Sequence, residues 1–188
     1  MAKILPIVKE PNKSLRQRAK ELPLSEISTA RVQKLIANMK ETLKNTPNGV
    51  GLAAPQVGES LRIFIVSEEA QEIDHQENLQ KKEQLNETKN PDSRKKKNWK
   101  YYVFINPAVK KIARKKLAGP EGCLSVTDKY GLVKRNEKIT VQAYDEHGKK
   151  FIRGASNFFA RVIQHELDHL EGTLFIDKVD EYLDQSKT

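Results

Sequence analysis

Residues 164–172 read Gln-His-Glu-Leu-Asp-His-Leu-Glu-Gly and contain the pattern HExxH. No other stretch limits the fold of this chain so much. On an α-helix, a spacing of four brings two side chains onto one face, roughly 5–6 Å apart. His165 and His169 could then bind one metal ion. Glu166 would project beside that ion, within reach of a water polarised by it. A metal lowers the pKa of water toward ~7, and a carboxylate can take the proton as attack occurs. The motif thus supplies two ligands and a base, and a third ligand must come from elsewhere in the chain. The plain alternative is the exposed face of an ordinary helix, because short motifs recur by accident.

The chain has 188 residues, of which 37% are hydrophobic and 31% charged. That length predicts a single domain, residues 1–188, with a real core. No apolar run approaches the ~18–20 residues of a membrane span. The start, Met-Ala-Lys-Ile-Leu-Pro, has no long apolar region of the secretory kind, so a cytoplasmic protein with no membrane contact is expected. One cysteine, Cys123, allows no intrachain disulfide. In a reducing compartment such a thiol suits metal binding or catalysis. The net charge of +9 favours polyanionic neighbours, but a merely solvated basic surface explains it equally well. No zinc-finger, helix-turn-helix or RNA-recognition signature is present.

In chain order, residues 4–8 form an apolar lead-in and 14–20 a short helix capped by Ser14. Residues 25–44 form the N-terminal helix, with Val32, Leu35, Ile36, Met39 and Leu43 as its buried stripe. Gly49-Val50-Gly51-Leu52-Ala53-Ala54-Pro55-Gln56 reads on its own as a tight turn into a strand at 61–66. Residues 67–100 hold equal numbers of acidic and basic residues and few apolar ones. We read this span as a charged, solvated surface insertion with a helical piece around 68–82. Further strands are expected at 101–105 (ended by Asn106-Pro107), 109–117, 131–135, 138–144 and 150–153. Asp145-Glu146-His147-Gly148 forms a hairpin turn. Between the second and third of these strands lies Gly119-Pro120-Glu121-Gly122-Cys123-Leu124-Ser125, read as a loop that exposes the sulfur. Ser156 or Asn157 caps the last helix, whose buried stripe is Phe159, Val162, Ile163, Leu167 and Leu170. Gly172 ends it, and a short, mildly acidic tail follows. His75 and His147 read as surface and turn residues rather than ligands.

Cys123 as a thiolate is a good third ligand, giving a Cys-His-His set with a fourth position open. Thiolate donates more charge than a carboxylate and suits softer or redox-active divalent metals. The other reading of Cys123, a nucleophile with His165 as base, leaves His169 without a task.

Residues 49–56, Glu121-Gly122-Cys123-Leu124-Ser125 and Gln164-His165-Glu166-Leu167-Asp168-His169 resemble the three signature motifs of peptide deformylase, in the same order. The likeness runs from Ile4 to about Ile176, apart from 67–100. The fold it implies is α+β: small, mostly antiparallel sheets around a central C-terminal helix carrying HExxH, with one N-terminal helix. The activity it implies is removal of the formyl group from the N-terminal N-formylmethionine of newly made polypeptides. Cys123, His165 and His169 match the metal ligands, for Fe²⁺ with Zn²⁺, Ni²⁺ or Co²⁺ as substitutes. Glu166 matches the general acid/base. Gln56, with the backbone N–H of Leu124, matches the donors to the formyl oxygen. The resemblance also implies strand-like pairing of substrate with the backbone around Val50, Gly51 and Gly122. A methionine pocket would be lined by Val50, Phe158, Val162 and His165. Many members have Pro where this chain has Thr127 and Arg where it has Tyr130, departures that bear on affinity for longer peptides. Glu121 and Arg135 are expected to pair behind the Cys segment. The tail lacks the long basic helix by which some members dock on the ribosome. A transient ribosome contact would therefore use basic surface at 94–97 or 110–116. A monomer is expected. Two rival readings are an HExxH endopeptidase, with a third ligand downstream of the helix, and a basic RNA- or ribosome-associated protein with a structural metal. For the first, Glu171 is too close in sequence to stand comfortably as that ligand, and the second predicts loss of Glu166 or Gln56.

Overall fold

The computed structural model describes residues 1–83 and 99–183, the backbone alone at 77–83. Asn90-Pro91 and the basic run 94–97 lie outside the described residues. Helix α1 spans Ala30–Lys44. Strands β1 (Gly51–Ala53) and β2 (Ile63–Ser67) follow, then helix α2 (Glu69–Glu83). Strands β3 (Tyr101–Ile112), β4 (Lys116–Cys123), β5 (Val126–Asn136), β6 (Lys138–Tyr144) and β7 (Lys150–Ser156) lead into helix α3 (Asn157–Leu170). A last strand, β8 (Val179–Tyr182), comes from the tail. Two antiparallel sheets result, one ordered β1-β2-β3-β6-β7 and the other β4-β5-β8.

The larger sheet is covered on both faces. Phe64, Val66, Phe104 and Val141 point toward α3 and join Phe159, Ile163 and Leu170 in one core. Ile63, Ile65, Val103 and Ile105 point the other way and join the α1 stripe Val32, Leu35, Ile36, Met39 and Leu43. Burial on both faces explains why β2 is apolar throughout instead of alternating. Phe64 and Phe104 stack across the β2–β3 pair, with centroids 4.6 Å apart. A third cluster, with Leu15, Val126, Val133, Leu174 and Phe175, lies under the smaller sheet.

Several boundaries differ from the sequence expectations. β3 does not end at Asn106-Pro107 but runs through it with shifts of register, and absorbs the first part of the strand expected at 109–117. Asn106 takes φ +48°, and its side chain bonds the backbone N–H and C=O of Leu22. This holds the irregularity in place of a ladder. The segment 119–123, expected as a loop, is the second half of β4, where Pro120 pairs with Leu132. Proline is tolerated there because β4 is an edge strand and its other side needs no N–H. The expected helix at 14–20 is a single 3-10 turn, Lys13–Arg16, capped by the Asn12 side chain and not by Ser14. α1 begins only at Ala30, with Thr29 accepting from the Val32 N–H.

The reading of 67–100 as wholly solvated is also corrected, for its first part. Ala70 on α2 is fully buried in the core beside α3, and Gln71 accepts a hydrogen bond from the Tyr102 hydroxyl at 2.7 Å. The lead-in 4–8 continues as a strap that ties distant segments together. Val8 N–H donates to Gln56 O, Glu10 N–H to Ser125 O, and Ala19 N–H to Leu170 O. Gly172 has φ +73° and lies against the backbone of Arg16 and Gln17, leaving no room for a Cβ. We expect Phe104→Ala to lower the free energy of unfolding by about 3–5 kcal/mol, since it empties a fully buried site between two rings. Urea titration measures this, and a loss under 1 kcal/mol would contradict the packing described.

Candidate active site

The larger sheet, the smaller sheet and α3 each contribute to one cavity. It has a volume of about 260 Å³ and is lined by Val50, Gly51, Gln56, Gly122, Cys123, Leu124, Tyr130, Phe158, Val162, His165 and Glu166, among others. Every candidate site residue read from the sequence lines it except His169. That residue is buried behind it, with its Nε2 3.2 Å from the Cys123 sulfur. One donor atom each from Cys123, His165 and His169 lies within 4.8 Å of the other two. Four-residue spacing on α3 sets the two rings 5.0 Å apart, centroid to centroid. The sulfur arrives from the end of β4, where the strand turns tightly and Cys123 pairs with Val126.

This donor set suits a divalent metal. His165 spends Nδ1 on the Glu121 carboxylate at 3.0 Å, which leaves Nε2 to face the sulfur and the second ring. Such a partner fixes the orientation and tautomer of a ligating histidine. Burial alone would push the Glu121 carboxyl up. The bidentate Arg135 guanidinium, at 2.8 Å to both oxygens, and His165 outweigh burial and hold it at about 2. Burial pulls the His165 ring down, but Cys123 and Glu121 more than offset that and raise it. His169 is driven well below the usual range by burial and by His165. Its neutral imidazole is the form a metal needs. His147 sits in an exposed turn and His75 on the exposed side of α2, so neither joins the cluster.

Glu166 is buried, and its Oε2 has no hydrogen-bond partner. Burial lifts its carboxyl to about 7, so it can gain or lose a proton near neutral pH. A Cβ at Gly51 would collide with the Glu166 carboxylate, so glycine there lets β1 pass close by. Gln56 is held in one orientation. Its Oε1 accepts from the Ala53 N–H at 2.8 Å, which turns Nε2 toward Ser125 Oγ at 3.3 Å and Cys123 Sγ at 3.6 Å. β1 and β4 are both edge strands, and both border the cavity. Space beside Gly122 is filled. The Tyr130 ring occupies it, with Cε1 2.6 Å from where a Cβ would stand.

Two supporting residues escaped the sequence reading. Arg161 bonds Glu121 at 2.9 Å and the carbonyls of Leu117, Gly119 and Val133. Its position four residues before His165, inside an otherwise apolar face, was the available signal. Ser125, fully buried, receives Gln56 and sends its N–H toward the Cys123 sulfur at 3.4 Å. The expected pair of Glu121 and Arg135 is present, and Arg135 continues to Asp168. Glu171, the carboxylate that follows the motif directly, pairs with Arg62 and Arg18.

A family model described as polypeptide deformylase matches residues 4–185. Peptide deformylase 1A of tomato, a chloroplastic protein, is 38% identical over 92% of this chain, which covers 58% of that protein. The chain spans about three fifths of the length of the two plant relatives it matches. Peptide deformylase 1 of Bacillus cereus is 36% identical over 98% of this chain and 97% of its own length. A class I type b peptide deformylase from Acinetobacter baumannii, solved with Met-Ala-Ser bound, superposes with TM-score 0.75 and 31% identity, covering 95% of this chain and all of that one. A Legionella pneumophila peptide deformylase gives 0.72 and 31%, over 98% and 88%. The fold is shared with these solved deformylases, and the family model spans nearly the whole chain, so the chain belongs to the polypeptide deformylase family.

Proposed function

We propose that this protein hydrolyses the formyl group from N-formylmethionyl peptides, yielding formate and a free N-terminal amine. The observation that carries this reading is the meeting of the Cys123 sulfur with the His165 and His169 imidazoles at the floor of a cavity bordered by two free strand edges. Cys123, His165 and His169 would hold the ion, Fe²⁺ by family resemblance, with Zn²⁺, Ni²⁺ or Co²⁺ able to replace it. When bound, such an ion supplies Lewis acidity that brings the pKa of water toward ~7.

The remaining steps fall to the chain's own residues. A substrate backbone adds between the β1 edge at Val50 and Gly51 and the β4 edge at Gly122, as an extended strand. The methionine side chain fits between Val50, Phe158 and Val162. Glu166 takes a proton from water as its oxygen attacks the formyl carbon, and gives one to the nitrogen as the C–N bond breaks. A carboxyl lifted to about 7 can do both at neutral pH. Gln56 Nε2 and the Leu124 N–H donate to the formyl oxygen as it gains charge. With Oε1 already committed to Ala53, Gln56 cannot turn its acceptor toward that oxygen.

No helix among the described residues is long and apolar enough to cross a membrane. The lone free cysteine is best kept reduced, which supports action in the cytoplasm. We take the working form to be a monomer. Contact with the ribosome would use the exposed basic surface from the end of β3 to the start of β4, with Lys110, Lys111, Arg114, Lys115 and Lys116.

The test is formate release from a formyl-Met peptide by protein purified without oxygen in the presence of Fe²⁺. Glu166→Ala should lower kcat about 10²–10⁴-fold while the metal stays bound; activity that survives this change refutes the assigned base. Gln56→Ala should cost about 10²–10³-fold in kcat, the usual loss for one oxyanion donor, and an unchanged kcat would remove Gln56 from the site. Arg135→Ala leaves Glu121 without its bidentate partner and should reduce metal content after dialysis, as read by elemental analysis. Undiminished metal would count against the second layer of support.

A further inference from the structure

α3 carries the catalytic residues, yet its own cap fails. Ser156 occupies the capping position with no side-chain hydrogen bond, and Asn157 stands at φ +47°. The Asn157 N–H is satisfied by Glu137 O at 2.8 Å. The next N–H, that of Phe158, is satisfied from another helix: Asp74 of α2 accepts it through Oδ1 at 3.1 Å. A carboxylate suits this place, because the first turn of a helix presents unsatisfied N–H groups and partial positive charge. Phe158 is also a wall of the cavity. The segment that the sequence marked as a charged insertion therefore reaches, through one hydrogen bond, the residue that shapes the cavity.

We propose that Asp74 is a positioning residue that sets the Phe158 side of the methionine pocket and so contributes to the choice of N-terminal side chain. The inference rests on the deformylase reading above. Phe158 and Val162 lie one turn apart on the face that continues to His165 and His169. From Phe158 to His169 the helix rises about 16 Å at 1.5 Å per residue. The far end is anchored separately, by the Glu121–His165 bond and by the Ala19 N–H bond to Leu170 O. Releasing the near end should therefore loosen the pocket wall and leave the ligand cluster in place. α2 is seated well enough to act as a fixed support, because Ala70 is fully buried against α3.

The test compares kcat/KM for formyl-Met and formyl-Ala peptides, because a ratio is insensitive to the fraction of folded enzyme. Asp74→Ala should lower the Met-over-Ala preference about fivefold to tenfold, chiefly through KM for the Met peptide, with metal content unchanged. Asp74→Asn keeps an acceptor oxygen and should retain most of the preference. Gln71→Leu removes the neighbouring bond of α2 without touching Phe158 and should leave the ratio alone. If Asp74→Ala does not purify, Asp74→Glu moves the acceptor by one methylene and carries the same readout. A ratio within twofold of the parent for the Ala variant, or for the Glu variant in its place, overturns the role of Asp74; so does an equal fall in Gln71→Leu. Absence of formate release from the unsubstituted enzyme overturns the deformylase reading instead.

Discussion

One buried carboxylate couples the two halves of the site. Glu121 sits on β4, in the smaller sheet, and is shared by Arg135 on β5, Arg161 on α3 and His165 on α3. The sulfur comes from that sheet and both imidazoles come from the helix, so their spacing depends on how sheet and helix are docked. Hydrophobic contact alone is weakly directional. A charged fork with bidentate geometry is directional, and removing one partner of such a buried set commonly costs about 3–5 kcal/mol because the other charge is left unpaired. Glu121 therefore does two things at once: it fixes the docking of β4 on α3 and holds the His165 ring by its Nδ1.

Around that junction the buried Glu166 carboxylate borders the cavity. Two strand edges are left unpaired beside the cavity, β1 from one sheet and β4 from the other. Exposed edges invite unwanted pairing; β1 is only three residues long, and β4 carries Pro120. Gly51 lets β1 pass against Glu166, and Gly122 accepts the Tyr130 ring. The N-terminal strap then bonds the segments that bear Gln56, Ser125 and the end of α3. The site is thus held from behind by ion pairs and from the side by backbone hydrogen bonds.

Tyr130 borders the cavity, is half exposed, and lies close enough to Gly122 that a Cβ there would meet its ring. An aromatic face in that place offers apolar area where a guanidinium would offer charge.

Much of this was legible in the residues. Helical spacing of apolar positions marked α1 and α3, and β6 was read at its observed bounds, because period and composition are local properties. The HExxH spacing and the one cysteine pointed to the candidate ligand atoms that the structure groups within 4.8 Å, since residue type decides what can bind a metal. Other features were not local. Asn106-Pro107 reads as a strand end, and only the Leu22 backbone, bonded by the Asn106 side chain, carries β3 through it. Gly119-Pro120-Glu121-Gly122 reads as a loop, and only its place at a sheet edge makes it a strand. A polar helix after β2 reads as solvated, and only the packing of α3 beside it buries Ala70 and brings Asp74 to Phe158. The sequence by itself determined which atoms could bind a metal and which helix would bear them. The tertiary structure decided that they meet, because bringing together groups up to 46 residues apart depends on long-range pairing that no local pattern encodes.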